Sequence, residues 1–127
     1  MRAVLDTSVL VAGHLSRVDA ELAVSAVSLA ELQFGVLVAT DPVERARRLR
    51  VLTAAERRFD PLPVDAAVAA SYGQIAAAVV AAERQPRARS LDLLIAATAH
   101  AHGAALLTHN ASDFVGLDAI VQVIDAR

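Results

Sequence analysis

Cysteine, lysine and tryptophan are all absent from the 127 residues. Without cysteine there is no disulfide framework, no thiolate metal site and no Cys nucleophile, so a zinc site would have to rely on histidine and carboxylates, and a reducing, cytoplasmic setting is expected. Without lysine, the P-loop and Schiff-base chemistries fall away, along with several phosphoryl-transfer sites. All 12 basic residues are arginine, and the formal net charge is −2. That balance argues against affinity built mainly on phosphate contacts, although clustered catalytic acids would subtract from the total. Phe34, Phe59, Phe114 and Tyr72 are the full aromatic set, which supplies few stacking platforms for single-stranded nucleic acid.

Long apolar runs are missing too. The most apolar stretch, Ala66 to Ala82, is mostly alanine and is interrupted by Ser71, Gly73 and Gln74. It falls short of the ~20 strongly apolar residues of a membrane span and reads as a helix of a soluble protein. The opening MRAVLDTSVL carries an acid at Asp6 and lacks a secretory signal's apolar stretch and cleavage site, so the chain reads as untargeted.

The length suits a single domain over residues 1–127, able to bury roughly two-thirds of its unfolded surface. No repeat or linker divides it. Ala3–Leu5, Val24–Val27, Pro61–Val64, Ala104–Leu107 and Ile120–Ile124 read as strands separated by helical patterns; this alternation implies a mostly parallel sheet with helices on both faces. Ser28 with Glu31 suits a capping box, and Asp41-Pro42 and Asp65 suit N-caps. Gly103 suits the residue after a helix spanning Leu91–His102, and Asp60-Pro61 ends the arginine-rich helix that starts near Pro42.

Ligands of open α/β sheets gather beyond the carboxyl ends of the strands. Four acids are expected there: Asp6 after the first strand, Glu31 in the first turn of the helix after the second, Asp92 in the first turn of Leu91–His102, and Asp113 in the loop after Ala104–Leu107. Singly, each has a plain structural explanation. Asp6 could cap a helix, Glu31 could complete a capping box, Asp92 could favour the helix dipole, and Asp113 could be a turn acid. Jointly they suit divalent metal, because phosphodiester hydrolysis needs an activated water and a neutralised leaving oxygen, and Mg²⁺ or Mn²⁺ on carboxylates supplies both.

Four stretches carry a family resemblance: Val4-Leu5-Asp6-Thr7-Ser8; Val27-Ser28-Leu29-Ala30-Glu31-Leu32 with Gly35; Asp92-Leu93-Leu94-Ile95-Ala96-Ala97-Thr98-Ala99; and Leu107-Thr108-His109-Asn110 with Asp113-Phe114. In this order they resemble PIN-domain toxins of the VapC family, over nearly the whole chain. The resemblance implies a three-layer α/β/α sandwich around a five-stranded parallel sheet. It also implies a Mg²⁺- or Mn²⁺-dependent endoribonuclease, a homodimer, and a cognate VapB-like antitoxin. By carry-over, Asp6, Asp92, Glu31 and Asp113 are the catalytic and metal-binding acids, Asp113 acting through a second metal or water, with Thr7, Ser8, Thr108 and Asn110 as hydrogen-bonding supports. The segment between Asp6 and Glu31 is compact, which leaves the substrate-facing rim open.

Arg45, Arg47, Arg48, Arg50, Arg57 and Arg58 form a basic helix that could hold RNA phosphates, but Glu44 and Glu56 allow local ion pairs that favour a solvated face. Arg84, Arg87 and Arg89 form a second group beside the acids. His100 and His102, two apart on a helix, cannot share an ion, whereas His109 lies near the site. Phe34 and Phe114 are expected to pack the site's apolar shell, and the 56% hydrophobic content leaves surface for a dimer contact and a partner helix. Two rivals stand beside the nuclease: a catalytically inactive PIN-like binding module, and an aspartyl-phosphate phosphotransferase using Asp6. The second is disfavoured by the missing lysine and by Asp6-Thr7-Ser8, which lacks the second aspartate of the haloacid-dehalogenase pattern.

Overall fold

The computed structural model describes residues 1–13, 15 and 18–126. β1 (Arg2–Leu5) passes through α1 (Thr7–Ala12) to β2 (Glu21–Val24), followed by α2 (Ala26–Val38), α3 (Pro42–Arg58) and α4 (Ala66–Ala81). A 3₁₀ turn, Pro86–Arg89, then runs into α5 (Ser90–Ala101), and β3 (Ala105–Thr108), a second 3₁₀ turn (Ala111–Phe114) and β4 (Val123–Asp125) complete the chain. The strands form one sheet in the order β2-β1-β3-β4, and every pairing is parallel.

Residues alternate across the pleat, and both faces of the sheet are buried, as the continuous apolar strands require. Ala3, Leu5, Val24, Ala105 and Leu107 pack with Val9 and Leu10 of α1, Leu32 of α2, and Leu52 and Ala55 of α3. Val4 and Leu106 point the other way, onto Val68 and Ile75 of α4 and Leu93, Ile95, Ala96, Ala97 and Ala99 of α5. This is the expected three-layer sandwich. Its alanine-rich helices bring backbones close, and α5 is buried along most of its length.

Helix starts at α3 and α4 match the sequence: Asp41 accepts from the Glu44 N–H and Asp65 from the Val68 N–H. Gly103, at φ +61°, follows the end of α5 in the left-handed conformation that glycine adopts without a Cβ penalty.

Three expectations need correction. The sheet has four strands among the described residues, not five: Pro61–Val64 makes a single parallel bridge, Ser25 with Leu62. Leu62 uses both backbone groups there, donating to Val24 O and accepting from Ala26 N–H. Pro61 and Pro63 on either side have no N–H to extend the ladder. Second, β2 ends at Val24, because Ser25 rather than Ser28 caps α2, its hydroxyl accepting from the Val27 N–H. Third, β4 begins at Val123, because Ile120 and Val121 are turned back onto the Leu117 carbonyl.

β1 and β3 are neighbours, with β2 flanking one and β4 the other, so the chain leaves β1 and β3 toward opposite sides of the sheet. Such a reversal opens a crevice at the carboxyl edge.

Candidate active site

Asp6 sits in that crevice, 5% exposed. Its N–H donates to the Leu107 carbonyl at 2.8 Å, extending the β1–β3 ladder one residue and setting Asp6 beside Thr108. The carboxylate is surrounded by donors: the Thr7 N–H on Oδ1 at 3.0 Å, and the hydroxyls of Ser8 (2.9 Å) and Thr108 (2.8 Å) on Oδ2. A buried charge persists only where such partners replace lost water. Those partners are themselves fixed. Ser8 Oγ accepts from the His109 N–H and Thr108 Oγ1 from the Asn110 N–H. Asn110 therefore contributes through its backbone, and the anticipated supports Thr7, Ser8 and Thr108 act directly on the acids.

Glu31 lies in the second turn of α2, one turn deeper than expected, because the helix starts at Ala26. The Thr7 hydroxyl donates to its Oε1 at 2.7 Å and stands 3.0 Å from Ser28 Oγ. Thr7 thus holds Glu31 next to the acid that precedes it in sequence. Ser28, read as a cap, instead buttresses this contact.

Asp92, in the first turn of α5, faces the same opening. Burial pushes its carboxyl above the ordinary value near 3.8, the charges of Asp6 and Glu31 push it further, and Asp113 adds to this while Arg89 pulls the other way. All three other acids are therefore electrostatic neighbours of Asp92. Asp113, on the 3₁₀ turn after β3, shares a cation with it: Arg89 Nη2 is 3.9 Å from Asp92 Oδ2 and 3.6 Å from Asp113 Oδ2. An open cleft of about 360 Å³ runs from Glu31 past Arg87 and Arg89 to Asp92.

The sheet edge thus gathers Asp6, Glu31, Asp92 and Asp113 around one opening. Among the described residues, no three His, Asp or Glu side chains converge tightly enough to enclose an ion. Glu31 leans on Thr7, Asp6 on three donors, and Asp92 and Asp113 toward Arg89. The donors are hard carboxylate and hydroxyl oxygens, and the raised Asp92 carboxyl reflects its burial first and then the negative charge of its neighbours, which Arg89 opposes. In ligand type and charge the group suits a hard divalent cation.

Other marked residues separate cleanly. Arg47 and Arg48 are tied to Glu44, and Arg48 also donates to the Gly35 carbonyl, so this part of the arginine helix is committed to local pairing. His100 Nδ1 is 2.7 Å from Ser71 Oγ, a link between α4 and α5 away from the acids. Phe114 is buried, but Phe34 is 66% exposed and does not line the site; it is two positions beyond Leu32, which turns it to the opposite helix face. Arg89 was visible in the sequence only as one of three neighbouring arginines. A basic residue three positions before a candidate acid, where i,i+3 residues meet on a helix, was the available signal.

The PIN domain family profile matches residues 3–119. Ribonuclease VapC4 of Mycobacterium tuberculosis is 41% identical over 115 residues, spanning 86% of each chain. Ribonuclease VapC5 of the same species is 35% identical over 126 residues, covering 94% of this chain and 90% of the relative. Among solved structures, a member of the VapBC family of toxin–antitoxin systems, VapBC-5 from Mycobacterium tuberculosis, superposes with a TM-score of 0.85 at 33% identity, covering 99% of this chain and 98% of that one.

Proposed function

Because the chain belongs to the PIN-domain family, in its VapC branch, we propose that it is the ribonuclease toxin of a type II toxin–antitoxin pair, a single cytoplasmic domain that hydrolyses RNA phosphodiester bonds with Mg²⁺ or Mn²⁺. The observation that carries the reading is Asp6, a buried carboxylate at the end of β1 held by three donors, with Glu31, Asp92 and Asp113 gathered around the same crevice. Asp6, Asp92 and Glu31 would hold the metal, with Asp113 completing the set directly or through water. When bound, the ion supplies an activated water and neutralises charge developing on the phosphate oxygens. The hydroxyls of Ser8 and Thr108 orient Asp6, and Thr7 orients Glu31, so the carboxylates are placed before RNA arrives. The aspartyl-phosphate rival is weakened by the burial of Asp6 and by donors on both of its oxygens.

A VapB-like antitoxin is the proposed partner. Phe34, Leu37 and Val38 of α2 and Val43 of α3 are exposed. Elsewhere on the surface an apolar groove of about 320 Å³ lies between α1 and α3, lined by Leu10, Val11, Val51, Ala54 and Phe59. An amphipathic partner segment suits such a surface. We also propose a homodimer, as the family resemblance implies.

Cleavage of a mixed RNA pool by wild type and Asp92→Asn, with Mg²⁺, Mn²⁺ or EDTA and both proteins confirmed folded, tests the enzymatic reading. Metal-dependent cutting by the wild type alone is the expected result. Equal cutting by both, or cutting in EDTA, overturns the assignment; no cutting by either protein on any RNA favours an inactive binding module.

A further inference from the structure

Two kinds of arginine pairing coexist in this chain. Arg47 and Arg48 grip Glu44 through hydrogen bonds of 2.6–3.0 Å. Arg89 stands off from its acids: its Nη2 lies 3.6 Å from Asp113 and 3.9 Å from Asp92, beyond hydrogen-bond length, and that nitrogen is buried without a hydrogen-bond partner. What holds the guanidinium there is its position over the Phe114 ring, 5.6 Å from the centroid. Phe114 is itself buried, next to Asp113 in the same 3₁₀ turn. The backbone contributes as well, since Arg89 is where the Pro86–Arg89 turn meets α5, three residues before Asp92.

We infer that Arg89 is a tethered cation that screens the Asp92–Asp113 side of the site in the metal-free protein and competes with the divalent ion for it. The inference rests on the reading of these acids as metal ligands. An arginine locked by a bidentate fork would have to break strong bonds before a metal could enter. Arg89 makes no such bonds to these carboxylates, so its attraction is Coulombic, and an ion of twice its charge can displace it from them while Phe114 keeps the guanidinium nearby. The device limits repulsion among the four acids when metal is scarce, and it lowers affinity for the metal in return.

The test is calorimetric titration of the full-length, metal-free chain with Mn²⁺, comparing wild type, Arg89→Gln, Arg89→Met and Arg89→Lys. Two uncharged variants are used so that a folding failure in one leaves the other informative. Both are expected to bind Mn²⁺ at least fivefold more tightly than wild type, about 1 kcal/mol, and Arg89→Lys, which keeps the charge, to stay near the wild-type value. In EDTA the uncharged variants should melt below wild type, and Mn²⁺ should raise their Tm by more. Unchanged or weaker Mn²⁺ binding in a folded uncharged variant overturns the role of Arg89 while leaving the metal site standing. A wild type that takes up no Mn²⁺ overturns both.

Discussion

Replacing Thr108 by valine would remove one oxygen, with little change in shape, from a side chain that is completely buried. Besides a long 3.5 Å contact with Ser8 Oγ, that oxygen makes two short ones. Its hydroxyl donates to Asp6 Oδ2 at 2.8 Å, and it accepts from the Asn110 N–H at 2.9 Å. A hydrogen bond to a charged group contributes roughly 1.5–3 kcal/mol and a neutral one about 1 kcal/mol, and valine leaves both partners short. The expected loss is therefore about 2–4 kcal/mol, a fall in Tm of roughly 10 °C for a chain of this length. Thr98→Val is the control. Thr98 is equally buried, but its hydroxyl serves only neutral partners, the Leu94 carbonyl at 2.9 Å and Ser25 Oγ at 3.3 Å, so about 1 kcal/mol is expected. Urea denaturation in EDTA at pH 7, with unchanged m-values, reads both. If Thr108→Val costs under about 0.5 kcal/mol, or no more than Thr98→Val, the claim that Thr108 sustains the buried Asp6 charge is wrong.

Asp92→Asn should stabilise the metal-free protein even as it abolishes cleavage. The Asp92 carboxyl titrates above its ordinary value near 3.8 in the folded chain, so the folded state binds more protons across that window and stability falls as pH rises through it. The gain from asparagine should thus be full above the folded pKa and vanish below about pH 3.8; melting curves from pH 3 to 8 in EDTA would show a constant difference if the effect were mere packing. Metal should reverse the ranking, because Mn²⁺ a hundredfold above its Kd stabilises wild type by about 2.7 kcal/mol, while the Asp92→Asn melting temperature should barely respond. On the proposed antitoxin face, Phe34→Asp and Leu37→Asp replace exposed side chains and should leave Tm within about 2 °C. They should also weaken binding of the purified cognate antitoxin tenfold or more by surface plasmon resonance; unchanged affinity in both would move the partner elsewhere.

What the residues revealed depended on how local the signal was. Asp41-Pro42, Asp65 and Gly103 act within a few residues, and the structure uses them as the sequence suggests. The start of α2 was misplaced, because the Ser28–Glu31 spacing suits a capping box, whereas Ser25 caps the helix. Pairing decides it: Val24 is held opposite Leu5 in the sheet, which leaves Ser25 at the turn and frees Ser28 to meet Thr7. Neither the register of β1 with β2 nor the β1–β3 adjacency that sets Thr108 beside Asp6, 102 residues away, is written in any short stretch. The four acids could be found one by one, but the hydroxyls that join them could be ordered only once the strands were paired.

Structural and functional explanations of a single acid also proved to be poor alternatives. Asp6 caps α1 through Oδ1 while Oδ2 is held by two hydroxyls, so it is at once a helix start and the centre of the site. Asp92 occupies the first turn of α5, where an acid suits the helix dipole, and still carries a raised carboxyl because it is partly buried and faces Asp6, Glu31 and Asp113. A carboxylate has two oxygens and one charge, and nothing prevents one oxygen from serving the backbone while the other serves a ligand. Glu31 is the exception that shows the difference, since its capping role fails outright and its contact with Thr7 has no part in starting the helix. Asp6 keeps its place without metal, because moving it would cost α1 its cap as well. With Glu31 held by Thr7 and with Arg89 standing between Asp92 and Asp113, four like charges share one sheet edge in a chain that has no lysine to neutralise them.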